Sequence, residues 1–193
     1  MSNHVRKLVV VGDDGVGKTA LISVFCNGVV YPDLPMNPNV NEVYIEVDNQ
    51  SRRYTIWDGS VDWGIEARLR VLLYPSANVF LVCFSLEQPE SLDNVIERWM
   101  PEIKHFCSPN LPVLLVGCKQ DLRDNATSEG VVRNLISYKQ GEKFALSINA
   151  LCYLECSALN GVGVREVFLR AIEAANVDRV HQPSRPRSNC NVI

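Results

Sequence analysis

Short apolar runs alternate along the chain with longer stretches in which apolar residues recur at helical spacing. The first run ends at Gly12 and is followed by a predicted helix from Ala20 to Cys26. Tyr44 to Asp48 and Arg53 to Asp58, separated by Asn49-Gln50-Ser51, have the pattern of a hairpin. Val79 to Phe84 and Pro112 to Val116 are continuously apolar, as expected of central strands covered on both faces, and Tyr153 to Cys156 supplies the last strand. Helices are predicted at Glu66 to Leu73, Pro89 to Phe106, Lys139 to Ala150 and Val164 to Ala175. The alternation predicts an α/β fold, a mostly parallel six-stranded sheet with helices on both faces. Sheets of this kind gather ligands at the carboxyl ends of their strands. That singles out the segments after Gly12, from Asp58 onward, from Gly117 to Asp121 and from Cys156 to Leu159.

Composition narrows the class. The 193 residues, 47% apolar and 21% charged, suffice for one such domain, expected over residues 1–176. From 177 to 193 the chain is polar and Pro-containing and reads as an exposed tail. A net charge of −3 gives no reason to expect nucleic-acid binding. No apolar stretch approaches the roughly 20 residues that span a bilayer, and the N-terminus lacks a secretory signal and a myristoylation Gly, so a cytoplasmic protein is expected. The seven cysteines are not spaced as a disulfide scaffold. Cys83 and Cys152 are expected to be buried thiols, and Cys152 with Cys156 lacks the His partner of a zinc site. None of the three histidines is assigned a catalytic role.

Between Gly12 and Gly17-Lys18-Thr19 stand four residues, the spacing of a phosphate-binding loop. The chemistry requires backbone amides converging on an anion at a helix N-terminus, with glycines admitting positive φ. Lys18 would reach the outer phosphates and the Thr19 hydroxyl would ligate Mg2+. An ordinary strand-to-helix turn is the plain alternative. Leu115-Val116-Gly117-Cys118-Lys119-Gln120-Asp121 then places a Lys and an Asp two apart past a buried strand. A carboxylate there can accept two hydrogen bonds from guanine, which adenine cannot offer, while the Lys stem lies over the ring. Alone, such a pair reads as a solvated turn. In register with the phosphate loop and with Glu155-Cys156-Ser157-Ala158-Leu159, where the Ala158 amide would meet the guanine oxygen, it reads as a base site.

The motifs G-D-x-x-x-G-K-T, I-W-D, C-F-S-L, P-E-I-K-H-F-C, L-V-G-x-K-x-D-L-R, Y-L-E-C-S-A-L and V-R-E-V-F together resemble the Rho/Rac branch of the Ras-like small GTPases over nearly the whole chain. The resemblance implies the small GTPase fold and binding of GTP or GDP with Mg2+. It carries nucleotide contacts onto Asp14, Gly15, Val16, Gly17, Lys18, Thr19, Ala20, Lys119, Asp121, Leu122, Ser157, Ala158 and Leu159. Thr19 would be the metal ligand, with Asp58 supporting it without binding the ion directly. Tyr31 is either the ring that stands against guanine or an aromatic anchor for its loop. Residues from Asp124 to Tyr138 correspond to the helical insert of the branch. A monomer is implied, with Rho-type effectors, exchange factors or a guanine-nucleotide dissociation inhibitor as partners, and signalling to the actin cytoskeleton as the role.

Four departures from the family fall mainly on the γ-phosphate side. Asp14 replaces a Gly, crowding the attacking water and adding charge. Asp58-Gly59-Ser60-Val61-Asp62-Trp63 replaces Asp-Thr-Ala-Gly-Gln, with Val61 or its neighbour at the sensing Gly and no Gln between Ser51 and Glu87. The first switch lacks its Thr, since none occurs between Ala20 and Tyr54; either Pro38-Asn39-Val40 or Pro35-Met36 sets its register. Cys118 takes the place of the Asn or Thr that braces the phosphate loop. These changes predict impaired hydrolysis and no confident catalytic residue. Drift in a working switch, a non-catalytic pseudoGTPase module blind to the γ-phosphate, and a P-loop kinase are the alternatives, the last lacking an Arg-rich lid.

The chain ends Cys190-Asn191-Val192-Ile193. Cys190 fits C-a-a-X prenylation, leaning to geranylgeranyl, although Asn191 is not aliphatic; an unmodified tail is the other reading. One prenyl chain with a few arginines predicts reversible attachment to the cytoplasmic face of the plasma membrane or an endomembrane.

Overall fold

The computed structural model describes residues 5–28, 40–47, 49–60, 70–126 and 135–177. Six strands form one sheet in the order β2-β3-β1-β4-β5-β6. They are β1 (Arg6–Gly12), β2 (Val40–Val47), β3 (Gln50–Asp58), β4 (Val79–Ser85), β5 (Val113–Cys118) and β6 (Cys152–Glu155). All neighbours pair in parallel except β2 with β3, which join Val40 to Trp57 at one end and Val47 to Gln50 at the other.

The apolar runs become a core by alternation. Every residue of β4 and β5 is buried, and successive side chains fall on opposite faces. Leu8, Val10, Leu81, Cys83, Leu114 and Val116 face α1 (Lys18–Asn27) and α6 (Val164–Asn176). There Phe25 and Phe168 stack at 4.0 Å between centroids. Val9, Val11, Phe80, Val82 and Leu115 face the other layer, which contributes Val95, Trp99, Ile103, Ala145 and Ile148.

That second layer departs from the expected pattern in one instructive way. The stretch predicted as a single helix is α2 (Pro89–Asn94), a π-helical turn (Val95–Trp99) and α3 (Met100–Phe106) in succession. Pro101 has no N–H to give the carbonyl four residues earlier, and its ring crowds that carbonyl, so the helix widens just before it. After β5 come α4 (Gln120–Asp124) and α5 (Tyr138–Ser147). The latter starts one residue before the expected Lys139, at a Ser137–Gln140 capping box, and stops short of Ala150.

Other expectations need correction. Gln50 and Ser51 belong to β3, and Asn49 takes the left-handed conformation, at φ 57°, that helps tighten the hairpin. Of the helix predicted at Glu66 to Leu73, residues 66–69 lie outside the described residues, Arg70 is α-helical, and Val71–Leu73 tighten into a 3-10 turn. Cys152 is only half-buried, whereas Cys83, Cys118 and Cys156 are buried. Among the described residues no helix is long and apolar enough to cross a membrane.

Candidate functional site

The carboxyl ends of β1, β3, β4, β5 and the segment after β6 meet along one edge of the sheet. At the first of them, Gly12 has φ 146° and a Cβ would stand 2.1 Å from the Cys83 carbonyl oxygen. Only glycine lets the chain leave the sheet so close to β4. The loop then winds through Gly15 and Gly17, both at positive φ, into the N-terminus of α1. Val16 is fully buried and anchors the loop in the core, so only its backbone can face a phosphate. Lys18 is 4% exposed, and its Nζ donates to the Asp13 carbonyl oxygen at 2.6 Å.

Asp13 fastens this loop to the neighbouring helix. Its carboxylate accepts from Asn94 Nδ2 at 2.6 Å and from Trp99 Nε1 at 2.8 Å. The Trp99 ring in turn carries the guanidinium groups of Arg70 and Arg98, each 4.6 Å from its centroid. Arg70 is buried and paired with Glu102, which also accepts from the Tyr74 hydroxyl. The chain that follows the β3 strand end is thereby tied, through Trp99, to the phosphate loop. The sequence pattern gives no sign of this link, since Asp13 stands in the phosphate-loop motif while Trp99 lies outside every family-like motif. Asp14 does something different: it is exposed, and its Oδ1 accepts the Gly15 N–H at 2.9 Å. A carboxylate thus occupies one of the amides a phosphate would use.

Beside the loop, the Thr19 hydroxyl donates to Asp58 Oδ2 at 2.5 Å and lies 3.1 Å from Ser60 Oγ. Asp58 Oδ1 accepts from the Ser60 N–H at 3.0 Å and from its hydroxyl. These are uncharged and anionic oxygens next to a phosphate site, the donor set that suits Mg2+.

The base end is formed by α4 and the turn after β6. Lys119, at φ 64°, reverses the chain so that Asp121 enters α4 with only 6% exposure. Asp121 Oδ1 accepts from the Ser157 hydroxyl at 2.5 Å. Ser157 is held by Val162, and Gln120 N–H donates to the Cys156 carbonyl at 3.0 Å, locking the two segments together. Between them and α1 lies a cavity of about 360 Å3 lined by Ala20, Lys119, Asp121, Leu122 and Ala158 among others. Leu159 stands at its rim, 78% exposed. Across the opening Lys119 Nζ pairs with Glu87 Oε1 at 2.6 Å.

Cys118 does not replace the expected brace polar group for polar group. Its Cβ packs 3.8 Å from where a Gly17 side chain would begin, and its sulfur shares hydrogen bonds with Cys156 and Cys83. Those bonds, first from Cys156, and then the nearby Lys18 and Lys119, hold the Cys118 thiol well below its ordinary range. The same bonding to Cys118, reinforced by burial, pushes Cys83 and Cys156 up. The three are far apart in sequence, and parallel strands bring them together at one sheet edge. Tyr31, Val61 and Cys190 lie outside the described residues.

Comparison with known proteins agrees with this arrangement. The Ras family model matches residues 7–177. The chain is 43% identical over 197 residues to the GTP-binding protein RHO1 of Candida albicans, covering 97% of this chain and 96% of that protein. It is 47% identical over 179 residues to the GTP-binding protein rho5 of Schizosaccharomyces pombe, covering 88% and 86%. Similarity to the GTP-binding protein rho1 of the same yeast is 43% over 190 residues, covering 92% of this chain and 89% of that one. A phosphate loop, an Asp-bearing base pocket and this breadth of likeness lead to one conclusion: the chain belongs to the Rho branch of the Ras-like small GTPases.

Proposed function

We propose that this protein is a signalling switch that binds GTP and GDP with Mg2+ and hydrolyses GTP slowly. The observation that carries the reading is the contrast between its two ends. Asp121, oriented by Ser157, lies at the wall of the base cavity, where it can take the paired donors of guanine, and the Lys119 stem can cover the ring. At the phosphate end the Asp14 carboxylate already sits on the Gly15 amide, so an outer phosphate must displace it and tolerate its charge. The chain also has no Gln between Ser51 and Glu87, the stretch after β3 where the family places the residue that orients water.

In this mechanism Lys18 exchanges its bond to the Asp13 carbonyl for the phosphates, while the amides of residues 15–19 cradle them. Thr19, with Asp58 beside it, would hold Mg2+, which would supply charge neutralisation to the phosphoryl oxygens. Asp13, fixed by Asn94 and Trp99, keeps the loop in its receptive shape. Without a positioned nucleophile the loaded state is long-lived, and control passes to exchange, localisation and abundance. Prenylation at Cys190 would place the protein reversibly on cytoplasmic membrane faces, where Rho-type effectors, exchange factors and a dissociation inhibitor meet it. Signalling to the actin cytoskeleton is the role that follows from Rho-branch membership.

The test is to release nucleotide from purified protein, identify it by chromatography, and follow single-turnover loss of added GTP with and without Mg2+. Intact GTP with slow turnover supports the reading, and turnover matching an ordinary Rho protein refutes it. Because Lys18 and Lys119 are both satisfied by protein partners, a domain that keeps its form without nucleotide is the second reading. No nucleotide and no thermal shift with GTP or GDP would favour it.

A further inference from the structure

We infer that the Ser60 hydroxyl is a metal ligand of this protein, sharing one ion with the Thr19 hydroxyl. The inference rests on the Mg2+-dependent nucleotide binding proposed above, and it concerns a residue that the family motif would fill with Ala.

Two independent features of the structure support it. The first is spacing. Adjacent ligands on an octahedral Mg2+, each at about 2.1 Å, lie about 3.0 Å from one another. Thr19 Oγ1 and Ser60 Oγ are 3.1 Å apart, and each also bonds the Asp58 carboxylate, Thr19 to Oδ2 and Ser60 to Oδ1. Asp58 is 8% exposed and faces both hydroxyls, so it holds their donors turned toward itself and their lone pairs available to a cation. The second is the backbone that delivers Ser60. Gly59 passes so near β1 that a Cβ would stand 2.7 Å from the Val10 carbonyl oxygen and 3.0 Å from Val11 Cγ1. Its N–H donates to that same carbonyl at 2.8 Å. Any side chain at 59 would push this strand end outward and carry Ser60 away from Thr19. The Gly59-Ser60 pair therefore works as a unit, the first residue allowing the approach and the second providing the oxygen.

The consequence is a metal held jointly from the phosphate loop and the β3 strand end. No Thr stands between Ala20 and Tyr54 to close on the ion from the other side.

Release of a fluorescent GDP analogue from the full chain, measured against free Mg2+, gives the concentration that half-maximally slows release. Ser60→Ala should raise it about tenfold, the effect typical of losing a group in a metal's immediate surroundings. Ser60→Thr should stay within about threefold of the parent, since it keeps the oxygen. Ser60→Cys should lose Mg2+ sensitivity but regain slow release in Cd2+, because a thiolate prefers the softer ion. A merely structural serine would give no such change of metal preference. Ser60→Ala within about twofold of the parent, or Ser60→Cys indifferent to Cd2+, would overturn the inference and leave guanine-nucleotide binding intact. Failure of the parent protein to bind any nucleotide would overturn both.

Discussion

Trp99 is buried to 2% exposure, and its indole N–H is bonded to Asp13 at 2.8 Å, which makes Trp99→Phe a direct test of how the phosphate loop is held. The substitution removes the donor and leaves one carboxylate oxygen short of a partner. A hydrogen bond to a charged group contributes about 1.5–3 kcal/mol, and the half-buried position of Asp13 places this one near the lower end. Shrinking the ring adds a cavity of roughly 1–2 kcal/mol, scaled down from full Trp truncation. The sum, about 2.5–3.5 kcal/mol, corresponds to a melting temperature lower by roughly 5–14 °C for a chain of this size. Packing loss alone would give some of this, so the decisive quantity is the coupling energy. A double-mutant cycle of Trp99→Phe with Asp13→Ala removes the Asn94 bond from both arms and isolates the indole contact. Urea unfolding followed by far-UV circular dichroism, corrected for the measured nucleotide affinity of each variant, should give a coupling of about 1–1.5 kcal/mol. A coupling below about 0.5 kcal/mol would refute the claim that this bond, rather than packing, joins the two elements.

Further outcomes follow from the same geometry. Asp14→Gly frees the Gly15 amide and removes a charge beside the phosphates, so equilibrium titration with a fluorescent GTP analogue should show binding tighter by about three- to tenfold. Asp121→Ala should weaken GDP at least about a hundredfold while leaving the melting temperature of the nucleotide-free protein within about 3 °C, since the loss lies in base recognition. Gly12→Ala meets the Cys83 carbonyl at 2.1 Å and should abolish soluble expression, whereas Gly28→Ala, with nothing within 4 Å, should cost about 1 kcal/mol by denaturation. Burial, and secondarily the Glu102 charge, raise the Cys107 thiol from 9.0 to about 11. The folded state therefore favours the neutral thiol, and this stabilisation is present below pH 9.0 and lost as pH climbs toward about 11. The stability gap between the parent and Cys107→Ala should narrow across that window, as measured by urea midpoints at each pH.

The sheet was legible because its strands are punctuated runs, continuously apolar in the buried centre and alternating at the β2–β3 side. Val79 to Phe84 reads as a strand buried on both faces, and so it is, extended by Ser85. The phosphate loop and the Lys119–Asp121 turn were legible for a related reason: their spacing is local, and local backbone conformation follows from a few residues. What escaped the pattern depends on distant partners. Nothing near Asp13 in the sequence points to Trp99, and nothing near Cys118 points to Cys83 and Cys156. The π turn escaped because a proline inside a helix can kink, break or widen it, and only packing decides which. Ser60 was visible as a deviation from the family, but its meaning needed the close passage of Gly59 past Val10.

One modest set of bonds governs how freely this protein can be edited. Arg123 Nη1 donates to the Ile136 carbonyl at 3.0 Å, Ile136 N–H donates to Leu86 at 2.9 Å, and the Ser137 capping box starts α5 afresh. These three stitches close the polypeptide on both sides of residues 127–134, like a seam sewn shut at each end. The guanine-facing wall thus owes its place to anchors at Leu86, Arg123, Ile136 and Ser137, and edits that spare these four leave the anchors intact.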